Sequence, residues 1–159
     1  MTDAGASKRT YQILVLVALG AMLIGTVFIL AARDPFEQTL RSGETATVAV
    51  IDVSDRDPLH HPYEVRVFLI ENGTANVTLR IEGSGDASVH DKTLSGDDAL
   101  LEVHAQAEPG DEVRIVVQND GPTAVHVTGQ SSSLTAYWIG GIFVVLGLLG
   151  FLFYRSGMS

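Results

Sequence analysis

The sequence predicts an all-β ectodomain, an antiparallel sandwich of six or seven strands, flanked by two transmembrane α-helices. Three observations lead there: a charge-free apolar run near each end of the 159 residues, period-two alternation between them, and turn residues at regular intervals. The length suits about one domain. Zero cysteines exclude disulfides, thiolate metal sites, a cysteine nucleophile and a lipoprotein anchor.

The first run covers residues 11–32 and contains no charged side chain. As a helix rising 1.5 Å per residue it reaches about 33 Å, enough for a hydrocarbon core of about 30 Å. The second run covers residues 134–154 and is equally free of charge, with Tyr137 and Trp138 near one end and Phe151, Phe153 and Tyr154 near the other. Such rings suit the two membrane interfaces. Lys8 and Arg9 precede the first span and Arg155 follows the second, so the positive-inside bias predicts two cytoplasmic termini. The expected layout is a cytoplasmic tail over 1–10, spans over 11–32 and 134–154, an external segment over 33–133 and a second tail over 155–159, in the plasma membrane. Arg33 lies on the wrong side for the rule, with Asp34 directly after it. The first run exceeds an ordinary signal-peptide core and has Leu30 where a cleavage site wants a small residue, which predicts a retained signal anchor.

Charge is unevenly shared. Residues 34–133 hold 18 of the 19 acidic side chains and 6 of the 10 basic ones, a net charge of −12. An acidic surface with no basic block excludes a nucleic-acid partner, because phosphate recognition needs clustered Lys and Arg. Two lysines against eight arginines add to an acid excess of the kind that suits high salt, so a halophilic or marine prokaryote is the expected source.

Within the external segment the alternation is clearest over 75–82 and 112–118, where Val, Leu and Ile interleave with Asn, Thr, Arg and Gln. Runs at 45–53 and 63–70 are β-rich and partly apolar on both faces, which predicts central strands. Residues 99–105 alternate from Leu101 onward, 124–128 form a short run, and 87–94 a weak one. Asn72-Gly73 between two apolar runs predicts a type I′ hairpin, whose central residues need positive φ. Gly83-Ser84-Gly85-Asp86, Ser95-Gly96-Asp97-Asp98, Pro109-Gly110-Asp111 and Asn119-Asp120-Gly121-Pro122 supply the other turns. Six or seven strands so spaced indicate an immunoglobulin-like or related sandwich. Ser131-Ser132-Ser133 leaves almost no linker before the second span.

Catalytic motifs are absent: there is no Gly-rich phosphate loop, zinc-protease histidine pair or nucleophile elbow. The five histidines, His60, His61, His90, His104 and His126, all lie in the ectodomain. His104 and His126 fall on the polar face of their strands, so neighbouring strands would let them share a transition metal, and with it a metal-dependent activity. The stretch 109–119 followed by His126 is similar to the cupredoxin strand pair that delivers a copper histidine. That family's site requires a cysteine, which removes blue-copper electron transfer. Asp52-Val53-Ser54-Asp55-Arg56-Asp57-Pro58 resembles the calcium-binding linker of cadherins, with Ser54 and Arg56 at its asparagine positions. The resemblance implies calcium held by Asp52, Asp55 and Asp57, since a hard cation takes oxygen ligands. Against it, Arg56 places a positive charge in the cluster, and no other cofactor is expected.

Two sequons, Asn72-Gly73-Thr74 and Asn76-Val77-Thr78, are candidate glycosylation sites, and the tight turn expected at Asn72 favours Asn76. Ala18, Ala21 and Gly25 share one face of the first span, and Gly140, Gly147 and Gly150 one face of the second. Small faces let membrane helices approach closely. Neither span carries an ionisable group, which argues against ion or proton transport through this chain alone. The expected function is non-enzymatic: a binding or scaffold module, or an accessory subunit of a membrane complex. Its partners are lipid together with another membrane or envelope protein or a second copy of the chain. The alternative is a ligand- or metal-binding sensor, which with such short tails would signal through a partner subunit.

Overall fold

The computed structural model describes residues 3–83 and 87–156. The chain divides into a helical unit and a strand unit, the latter spanning Arg33–Leu134.

In the helical unit, α1 covers Asp3–Ala31 and α2 covers Leu134–Ser156. Both contain a 22-residue stretch long and apolar enough to cross a membrane, Thr10–Ala31 and Leu134–Arg155. They pack antiparallel. Tyr11 meets Tyr154 edge to face with ring centroids 6.0 Å apart, and Phe28 stacks on Phe143 at 6.4 Å. Much of the remaining surface is apolar and exposed, Leu16, Leu23 and Leu30 on α1 and Ile142, Leu146 and Phe153 on α2 among it.

Among its described residues the strand unit holds eight strands: β1 Arg33–Leu40, β2 Glu44–Asp52, β3 His61–Leu69, β4 Thr74–Glu82, β5 Ser88–Ser95, β6 Leu100–Ala107, β7 Glu112–Asn119 and β8 Val125–Ser132. They form two four-stranded antiparallel sheets in the orders β1-β8-β3-β6 and β2-β7-β4-β5. Eight strands so wound make a jelly roll. An immunoglobulin constant domain groups its strands 1-2-5-4 and 3-6-7, so the expectation of an antiparallel sandwich holds while its immunoglobulin-like form does not match this order. Arg33 pairs with Ser132 across β1 and β8, so the chain enters and leaves the sandwich at adjacent points.

Alternation sets the core. Val65 and Val67 of β3, Val77 and Leu79 of β4, Ile115 and Val117 of β7, and Val125 and Val127 of β8 turn inward and are buried. Asn119 is the polar exception at zero exposure. Its amide donates to the carbonyls of Arg41 at 3.1 Å and Thr123 at 2.9 Å, and its Oδ1 accepts the Gly121 N–H at 3.1 Å. One side chain thereby ties the β1–β2 turn to the β7–β8 turn.

Several expectations need correction. β1 is an additional strand, placed at a sheet edge, where Pro35 costs no ladder bond to a second neighbour. The 45–53 run is edge strand β2, not a central one, and its pairing with β7 slips between Thr47 and Ala49. Asn72-Gly73 is no type I′ hairpin, because β3 and β4 lie in different sheets and positive φ occurs only at Gly43, Gly96 and Gly110 among the described residues. The connection must cross between sheets, which a two-residue hairpin cannot do. Of the turn at 83–86, Ser84, Gly85 and Asp86 lie outside the described residues.

Candidate functional site

The most chemically loaded surface is the outer face of the β1-β8-β3-β6 sheet. Because Tyr63, Val65 and Val67 face the core, the intervening Glu64 and Arg66 point outward, as do Glu102 and His104 of β6. The antiparallel register sets Glu64 opposite His104 and Arg66 opposite Glu102. Cross-strand partners of this kind touch. The Arg66 guanidinium contacts Glu64 and donates from Nε to Glu102 Oε1 at 2.8 Å, and His104 Nε2 lies 3.4 Å from that same oxygen. A hollow of about 340 Å³ opens beside the cluster, lined by Pro62, Glu64, His104, Gln106, Gln130 and Ser132 among others.

Electrostatics follow from that geometry. Glu102 is held below the usual carboxylate range, first by the Arg66 hydrogen bond and further by the Arg66 charge, against a desolvation effect of opposite sign. Arg66 is raised in turn, chiefly by the Glu102 hydrogen bond and the Glu64 charge. Ligand atoms of Glu64, Glu102 and His104 lie within 4.8 Å of one another, the one such three-residue group among the described residues. A metal ion there would have to displace Arg66, which already bridges the two carboxylates.

His104 and His126 are not brought together. β3 runs between their strands, and His126 instead accepts or donates at Nδ1 with Thr39 Oγ1 at 2.9 Å and meets the Phe68 ring edge-on at 5.2 Å. Asp52, Asp55 and Asp57 do not converge into a ligand cluster either. Asp57 Oδ2 pairs with His61 Nε2 at 2.7 Å, its Oδ1 accepts the Leu59 N–H at 3.3 Å, and Asp55 lies over Gly110. Gly110 has φ 85°, and a Cβ there would stand 2.5 Å from Asp55 Oδ1. The loop thus packs on itself and on the turn before β7.

In the helical unit Ala18, Gly25, Gly140 and Gly147 lie at the closest approach of α1 and α2, with Gly150 beside Ala18. A Cβ on Gly25 would sit 2.5 Å from the Gly140 carbonyl, one on Gly140 2.7 Å from that of Gly25, and one on Gly147 2.6 Å from that of Ala18. A Cβ on Gly150 would reach the Ala18 methyl at 3.4 Å. Asn72 and Asn76 are both exposed, Asn72 in the β3–β4 connection and Asn76 within β4. Glu64, Arg66 and Glu102 were not singled out from sequence. Their outward phase was visible in it, but the register that joins them to His104 was not.

No known protein family matches the chain, and no curated protein matches it. Several solved structures resemble part of the chain at low identity. The PRD1 vertex protein P5 is 9% identical with a TM-score of 0.46, covering 63% of this chain and 95% of its own. The nucleoplasmin-like N-terminal domain of Drosophila FKBP39 is 12% identical at 0.40, covering 65% and 93%. The Drosophila NLP core, whose structure concerns pentamer formation and histone binding, is 14% identical at 0.41, covering 63% and 96%.

Proposed function

We propose that this chain is a plasma-membrane protein with two spans and both termini cytoplasmic, holding an acidic sandwich outside the cell as a non-enzymatic binding or scaffold module. It serves as an accessory subunit of a membrane complex or as the repeating unit of a homo-oligomer. The observation that carries the reading is the apolar exterior of the helix pair: large exposed Leu, Ile, Val and Phe side chains line both helices, a surface that water disfavours and lipid tails accept. The pairing of Arg33 with Ser132 supports it, since a sandwich entered and left at adjacent points is what a two-helix hairpin requires.

The cysteine-free chain suits a direct test. Asp97 is exposed in the β5–β6 turn, so an Asp97→Cys variant of the full-length protein is expected to react with a membrane-impermeant maleimide on intact cells. Epitopes at either terminus should become reachable only after lysis. Native mass measurement in mild detergent should then give an assembly larger than one chain. Labelling that requires lysis would overturn the orientation, and a bare monomer the scaffold role.

A further inference from the structure

We infer that Asn72 is a glycan acceptor, modified by an oligosaccharide transferred from a lipid-phosphate carrier, and that Asn76 is not, although both stand in Asn-x-Thr sequons. This rests on the outward orientation proposed above, because only there does the sandwich meet an external transferase. In the transfer the Asn72 amide nitrogen attacks the anomeric carbon of the first sugar. A C–N bond forms, the C–O bond to the carrier phosphate breaks, the carrier leaves as its lipid phosphate, and the amide proton passes to a base of the transferase. The chain contributes the acceptor alone.

Backbone placement separates the two sequons. A transferase has to take hold of the amide nitrogen and the threonine hydroxyl of one tripeptide together, which needs a segment that can leave the protein surface. Asn76 to Thr78 cannot do so in the folded sandwich. β4 lies between β7 and β5, with Asn76 paired to Thr93, and Thr78 paired to Asp91 on one side and Gln118 on the other. The Asp120 N–H donates to the Asn76 carbonyl at 2.8 Å, and the Thr93 hydroxyl donates to Asn76 Oδ1 at 3.0 Å. Lifting this tripeptide out would strip two ladders at once.

Asn72 and Gly73, by contrast, precede β4 in the connection that carries the chain from one sheet to the other. Asn72, Gly73 and Thr74 are all exposed. The segment is anchored at the sequon's own threonine, the first residue of β4, where the Thr74 N–H donates to Thr123 Oγ1 at 3.2 Å and the Thr123 N–H to the Thr74 carbonyl at 3.3 Å. Gly73 lies so close to the Thr123 side chain that no Cβ fits between them. The asparagine therefore stands at the tip of a fixed loop end with no strand partner of its own, and within its tripeptide only Thr74, paired to Ser95 at the first position of β4, has a ladder contact to give up. This reverses the preference that the sequence alone suggests, since the tight turn expected to hold Asn72 does not form.

The test is mass spectrometry of the full-length protein purified from the membranes of its own cells, with fragmentation that separates Asn72 from Asn76. Sugar mass is expected on Asn72, lost completely in Asn72→Gln and Thr74→Val, and retained in Asn76→Gln and Thr74→Ser. Sugar on Asn76 in place of Asn72 overturns the inference. So does an unmodified Asn72 in a chain whose Asp97→Cys is labelled from outside, a result that leaves the orientation standing. If that cysteine reacts only after lysis, orientation and acceptor fall together.

Discussion

Arg66 decides what the outer face of the β1-β8-β3-β6 sheet offers a partner. With its guanidinium between Glu64 and Glu102, two carboxylates and a neighbouring imidazole are presented as a nearly compensated network instead of an open acidic patch. Both partners of the Arg66–Glu102 pair keep appreciable exposure, 51% and 34%, so the pair adds little to stability and weakens in salt. Its mark is the lowered titration of Glu102. A carboxylate depressed in the folded state stabilises that state fully above its unfolded pKa of about 4.3, and the contribution disappears as pH falls through the lower folded value. In Arg66→Gln the carboxyl of Glu102 is expected to titrate at higher pH, read by NMR at its side-chain carbon, and the difference from the parent should shrink in 1 M NaCl. An unchanged Glu102 would place the guanidinium in solvent and reopen the cluster to a metal ion.

At the scale of elements, the two helices meet where glycine removes the side chain. Gly25→Leu or Gly147→Leu must push a carbonyl of the facing helix away, whereas Gly20 has nothing within 4 Å of an added Cβ and so supplies the control. Overpacking a close contact costs about 1–3 kcal/mol. Reversible unfolding in micelles should therefore lose about that much in the first two variants and stay unchanged in Gly20→Leu. Equal losses in all three would mean that added bulk anywhere on α1 or α2, not the contact at Gly25 and Gly147, was measured, since leucine has a better helix propensity than glycine. The helices and the inward residues of β4 and β7 were legible in the sequence because their periods are local. Strand order was not. Of the seven connections between strands, only that from β4 to β5 joins neighbours in one sheet, so turn chemistry reports almost nothing about which strands pair. β1 escaped notice because Arg33, Asp34, Pro35 and Glu37 obscure the inward series Phe36, Gln38 and Leu40. His104 could be read as outward-facing, but its partners sit 38 and 40 residues upstream on β3 or two residues back on β6, and only the register joins them.

The whole strand unit carries a burden that no single contact relieves. Eighteen acidic and seven basic side chains over residues 33–134 leave a net charge of −11 on one compact unit with its own core. Among the described residues Arg66 pairs with Glu64 and Glu102, Lys92 with Asp98 and Arg114 with Glu112, but 18 acids against seven bases cannot all be neutralised by pairing. At 0.01 M ionic strength the Debye length is about 30 Å, so charges across the sandwich repel; at 1 M it is about 3 Å, and only adjacent groups still interact. Unfolding spreads the same charges apart, which makes the repulsion a cost of the folded state. The isolated strand unit is therefore expected to melt at rising temperature as NaCl goes from millimolar to molar. Calcium added at constant high ionic strength should change the melting point little, because Asp57 is engaged by His61 and the Asp52, Asp55 and Asp57 carboxylates do not gather. A calcium-specific rise abolished by Asp55→Asn would reinstate that loop as a cation site, and a melting point indifferent to NaCl would show that the acids lie too far apart for their repulsion to count.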